Sequence, residues 1–170
     1  MEHFTVDSAA FARFRQRFEN WLADEMPGVD PKLASVMPLF TNMRKVVPTF
    51  SCSAHPRGIG KEKPTQHTYF ALVVEEGGYD ELAEFFRIVE AKVAAVCNEL
   101  AYVQTSLVLR TRPFCWDHGS KEFHYYSHTL TFWPVKSEEM QDNILAMVKE
   151  SLTALTIPAD RLAVLQAALS

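Results

Sequence analysis

The chain has 170 residues, 48% of them hydrophobic and 22% charged, a composition that supports a buried core and excludes a disordered chain. Its formal net charge of −4 argues against a generic polyanion binder, and six glycines with nine prolines exclude collagen-like and low-complexity classes. Three cysteines, an odd number, exclude a complete disulfide framework.

Met1-Glu2-His3-Phe4 has no basic leader character, and no apolar run approaches the length of a membrane span. The expected setting is therefore the reducing cytoplasm, where thiols stay free or ligate metal. Asp7 and Ser8 are caps for a first helix, with Phe11, Phe14, Phe18, Trp21 and Met26 on one face and Pro27-Gly28 at its end. That apolar face would be a dimer surface if no sheet covered it. Asp30-Pro31 opens a short helix over Lys32 to about Phe40, broken near Pro38.

Val46 to Ser53 is rich in β-branched and aromatic residues and reads as a strand, with Pro48 favouring an edge position. After the turn-rich stretch from His55 to Pro64, His67 to Glu75 is a second strand, stopped by Gly77-Gly78. Leu82, Phe86, Val89, Val93, Val96 and Leu100 recur at helical spacing over Tyr79 to about Leu100. Two further strands are expected over Tyr102–Thr111 and Phe123–Val135. Ser137-Glu138-Glu139 then opens a helix with Met140, Ile144, Met147, Leu152 and Leu155 as its stripe, and a last short helix follows Pro158.

This order predicts an α+β domain: a largely antiparallel sheet with helices mainly on one face. An internal similarity divides it further. Cys52-x-x-His55, Lys61-Glu62 and His67-Thr68 recur as Cys115-x-x-His118, Lys121-Glu122 and His128-Thr129, each followed by a strand and an acidic helix start. The expectation is an N-terminal helical segment over 1–45, a first ββα repeat over 46–100 and a second, with a C-terminal helix, over 101–170.

Thiolate and imidazole are the usual zinc ligands, so Cys52, His55, His67, Cys115, His118 and His128 are candidate metal ligands. One arrangement is a single site shared by the two C-x-x-H turns, and another is a trio at each hairpin mouth. Glu62 and Glu122 are candidate general bases. Arg57, Lys61, Lys121 and His124 are candidate contacts to a phosphate-bearing small molecule. Cys52 or Cys115 beside a histidine would also serve as a nucleophile.

One strand histidine in each half resembles the two-histidine phosphoesterases, whose paired H-x-[S/T] motifs grip a phosphate. Here His67-Thr68-Tyr69-Phe70 and His128-Thr129-Leu130-Thr131 set threonine directly after histidine. In a strand that puts the two on opposite faces. The resemblance implies a metal-free phosphoesterase, and the leading expectation stays a Cys/His-lined zinc site. The rival is a non-enzymatic regulator or inhibitor working through a protein partner, with the aromatic surface as its functional part.

Overall fold

The computed structural model describes residues 4–49, 66–96, 102–113, 122–135 and 137–155. In chain order these form α1 (Ser8–Ala23), a 3-10 helix (Met37–Asn42), β1 (Val46–Pro48), β2 (Gln66–Val74), α2 (Tyr79–Val96), β3 (Tyr102–Pro113), β4 (Glu122–Val135) and α3 (Glu138–Ala154). The mixture is α+β, with an antiparallel sheet in the order β1-β2-β4-β3.

Local chemistry accounts for most element ends. The Asp7 carboxylate accepts from the Ala10 amide at 2.8 Å, and the Ser137 hydroxyl accepts from the Met140 amide at 3.1 Å. Each fills one of the donors that a helix start leaves unpaired. α1 stops at Ala23, short of Pro27-Gly28, because Glu25 and Met26 both take left-handed backbone, at φ 58° and 55°. The expected helix around Pro38 is a run of turns closed by the 3-10 segment.

Gly78 has a steric reason at the turn between β2 and α2. A Cβ there would meet Lys45 Cβ at 2.8 Å and the Glu75 carbonyl at 2.9 Å. One turn into α2, the Glu81 carboxylate accepts from both the Arg44 and Lys45 amides at 2.7 Å. α2 is thereby tied to the entry of β1 by charge-assisted bonds.

Phe70 pairs with Leu130, Leu72 with His128 and Thr68 with Phe132 across β2 and β4, so all six share one face. Phe40 packs on Phe70 at 5.6 Å between ring centroids and on Phe85 of α2 at 6.0 Å. From α3, the Gln141 amide reaches the buried Thr68 hydroxyl at 3.5 Å. α2, α3 and the 3-10 helix therefore cover this face. Leu82, Phe85, Val89, Ile144, Val148 and Leu152 form their buried stripes.

The opposite face carries Ala71, Val73, Tyr125 and Ser127, and α1 lies against it. Phe14 meets Tyr125 edge-on at 4.9 Å, and Phe11, Phe14 and Phe18 are all buried. Helices thus occupy both faces, two against one. Phe11, Phe14 and Phe18 of the α1 stripe are core, so the uncovered face on which a dimer surface there depended is not present.

The strands do not run the same distance. β2 pairs with β4 only as far as Leu72↔His128, whereas β3 pairs with β4 down to Pro113↔Glu122. In the fork so formed lies the N-terminal strap, Phe4 to Val6. The Val6 amide donates to the Val74 carbonyl and the Glu76 amide donates to the Val6 carbonyl, both at 2.9 Å, in a parallel bridge.

Candidate functional site

Among the residues singled out from the sequence, Cys52, His55, Arg57, Lys61, Glu62, Cys115, His118 and Lys121 lie outside the described residues. His67, Glu122 and His124 have described backbone positions. His67 falls at a bulge between Gln66, opposite Val135, and Thr68, opposite Phe132. Glu122 faces Pro113 and His124 faces Thr111, at the other end of β4.

From His124 to Phe132 the strand advances about 26 Å. The connection entering β2 and the connection entering β4 therefore leave from opposite ends of the sheet. His67 and His128 are likewise not neighbours. His128 faces Leu72, and β2 advances about 16 Å from His67 to Leu72. His128 also stands about 20 Å up β4 from the hairpin end at Glu122. Among the described residues, no three of His, Cys, Asp or Glu gather within range of a common metal ion.

His128 is half-buried, and its partners are a backbone carbonyl and a tyrosine hydroxyl. Its Nε2 lies 3.1 Å from the Phe4 carbonyl and 3.4 Å from the Tyr79 hydroxyl. A carbonyl only accepts, so Nε2 carries the hydrogen and has no lone pair to offer a proton or a metal. The Tyr79 ring meets the imidazole edge-on at 5.3 Å, and Phe4 meets Tyr126 the same way at 4.9 Å. Burial pushes the imidazole below its ordinary range, and the bond to Phe4 offsets part of that. Burial likewise pushes the Tyr79 hydroxyl up. The group acts as a clasp that fastens the strap into the fork.

A different surface has the form of a binding site. An open groove of about 1010 Å³ runs along α3 and is lined there by Asp142, Leu145, Ala146, Lys149, Glu150, Thr153 and Ala154. These positions recur every three or four residues, so they make one continuous stripe about 18 Å long. Pro31, Lys32, Ser35 and Leu39 form the facing wall, and Lys92 of α2 closes a side. Lys32 pairs with Asp142 and Lys92 with Glu150, each at 2.9 Å, so the first salt bridge ties the facing wall to α3 and the second ties α2 to α3. The bond to Asp142 raises the Lys32 ammonium above its ordinary range. Among the described residues Lys149 has no carboxylate partner.

The sequence reading missed this groove because it followed the core stripe of α3 and stopped there. Leu145 and Ala146 stand one step round the helix from Ile144 and Met147. The available signal was a row of lysine, acid and small residues beside the core stripe.

The described part of the chain defines an α+β protein on an antiparallel sheet, and no helix among those residues is long and apolar enough to cross a membrane. Compared with known proteins, the chain matches no family model, no curated protein and no solved structure.

Proposed function

We propose that this chain is a non-catalytic interaction protein that takes an amphipathic helix of a partner into the groove along α3. The observation that carries this reading is the stripe from Asp142 to Ala154. It is as long as three helical turns, presents exposed Ala146 and Ala154 beside the buried Leu145, and is rimmed by three lysines. Lys149 adds a positive charge that no described carboxylate balances, which suits an acidic flank on the incoming helix. The strand order, with β2 and β4 meeting at the centre and a helix after each, also supports reading β1-β2-α2 and β3-β4-α3 as duplicated ββα units. In that reading the second unit supplies the stripe on α3, the first supplies Lys92 of α2, and the N-terminal segment supplies the facing wall.

Most of the zinc and phosphate candidates lie outside the described residues; of the described ones, the strand register sets His67 apart from His128 and from the end of β4 that carries Glu122 and His124. Ala146 is exposed in the groove, so Ala146→Arg fills it without disturbing the core. Affinity capture from native extract, with Ala12→Arg on the exposed side of α1 as control, tests the proposal. A partner held by wild type and the control, lost with Ala146→Arg, and protected over one helical segment on binding is the expected result. Equal retention by Ala146→Arg overturns it.

A further inference from the structure

The strap that enters the fork between β2 and β4 is held by contacts of two kinds. Backbone bonds fix Val6: its amide donates to the Val74 carbonyl, and the Glu76 amide donates to the Val6 carbonyl. They make a single parallel bridge, and a bridge of this size opens at far lower cost than a full strand. Side chains fix Phe4: its carbonyl accepts from His128 Nε2 at 3.1 Å, and its ring meets Tyr126 edge-on at 4.9 Å. Of the groups in these contacts, the imidazole is the one that changes charge in mild acid.

The strap is also part of what keeps His128 from water. The Phe4 carbonyl caps its Nε2, and the Tyr79 ring of α2 stands edge-on to it at 5.3 Å. Across the sheet His128 faces Leu72 of β2 and Leu107 of β3, and on its own face of β4 its neighbours are Tyr126 and Leu130. None of these carries a charge. Tyr79 is the titratable group in contact with the imidazole, and burial pushes its hydroxyl up, so it stays neutral in acid. Phe4, Thr5 and Val6 add no ionisable side chain. What acts on His128 is burial, which disfavours the proton, and more weakly the Phe4 carbonyl, which favours it. Lifting the strap removes the Phe4 carbonyl and ring together and returns Nε2 to water, which solvates a charged imidazole better than one carbonyl in a half-buried cleft does. A bound proton and a closed strap therefore oppose each other, and each weakens the other by the same factor.

We propose that residues 4–6 are a proton-linked strap, closed in the fork while His128 is neutral and lifted from it when His128 takes up a proton. Opening frees the Val74 carbonyl, the Glu76 amide and the Tyr126 ring at one place, while the pairing of β1 with β2 stays intact. The groove along α3 takes no part, so the strap does not rest on the reading of that groove.

Amide exchange on the full chain, read as protection relative to the unfolded chain, tests the proposal. The Val6 and Glu76 amides report the bridge, and the Thr49 amide, which donates to the Ala71 carbonyl at 2.7 Å, reports the other side of β2. Between pH 7.5 and pH 5 the Val6 and Glu76 amides are expected to lose protection several-fold while Thr49 keeps its own. His128→Gln retains a donor for the Phe4 carbonyl and does not titrate, so its bridge amides are expected to hold level over the same range. That variant leaves Asp7, Glu75 and Glu76 in place, so an acid effect arising from them would survive in it. The reciprocal measurement needs no change at His128: Phe4→Ala loosens the strap, and the imidazole titration followed by proton resonance is expected to move up toward the ordinary value of 6.5. Bridge amides equally protected at both pH values, a loss that Thr49 shares in proportion, a loss that persists in His128→Gln, or a titration unmoved by Phe4→Ala would each overturn the inference.

Discussion

The β1 edge and the β3 edge belong to one sheet and face opposite problems. β1 has three residues, an outward proline and an arginine laid over its carbonyls. β3 has twelve residues and no such covering among those described. A sheet edge left bare is a template for further pairing, and the β1 edge carries the features that blunt it. The same contrast holds for the faces. Phe40, Phe70 and Phe85 pack on one and Phe14 with Tyr125 on the other.

The largest expected effect comes from uncovering the finished edge. Arg15→Ala leaves the Met43, Arg44 and Val46 carbonyls without their cationic donor. Hydrogen bonds to charged groups contribute roughly 1.5–3 kcal/mol, so a loss of about 2–3 kcal/mol in urea unfolding is expected. If β1 depends on this covering, Arg15→Ala also forms species larger than the wild type in light scattering. Unchanged stability and unchanged mass would mean that the two edges do not differ as described.

A smaller effect is expected about two turns earlier, at the cap of the same helix. Asp7→Ala removes the cap that receives the Ala10 amide and loosens the start of α1, which carries Arg15. Loss of such a cap typically costs about 1 kcal/mol. Unlike Arg15→Ala, it should leave the mass of the protein unchanged, since the arginine still reaches the edge. Ser137→Ala at α3 should cost about the same and serves as the internal comparison.

Much of this architecture is legible in the sequence, for reasons that differ from element to element. The α1 and α3 caps are local, and Asp7 and Ser137 stand directly before apolar residues at helical spacing. Pro48 announces an edge because a proline cannot serve a central strand. Strand order is another matter. That β2 and β4 meet at the centre, and so send His67 and His124 to opposite ends, depends on contacts between residues far apart in the chain. A repeated C-x-x-H pattern carries no information on that. The clasp at His128 was hidden for the same reason: its partner is a backbone carbonyl at Phe4, and any residue supplies a carbonyl. The groove was hidden because its row on α3 is mostly polar and small, which reads as an ordinary solvated helix face.

The smallest expected effect tests the third boundary of the sheet, the fork where β4 parts from β2. Burial holds the His128 imidazole below its ordinary value near 6.5, so in the folded protein it is neutral where the unfolded chain is already taking up a proton. Above pH 6.5 both states are neutral at this position and it adds no pH dependence. As pH falls from 6.5 toward the lower folded value, the unfolded state binds more protons and stability declines. Below that value the dependence ends. His128→Gln keeps a donor for the Phe4 carbonyl and removes the titration. The thermal midpoint of wild type should therefore fall more steeply than that of His128→Gln between pH 7 and pH 5, while the two run parallel above pH 7. Equal slopes throughout would show that the strap is fastened without the imidazole. The fork would then be closed by the Val6 bridge alone, as a backbone edge like β1 and unlike β3.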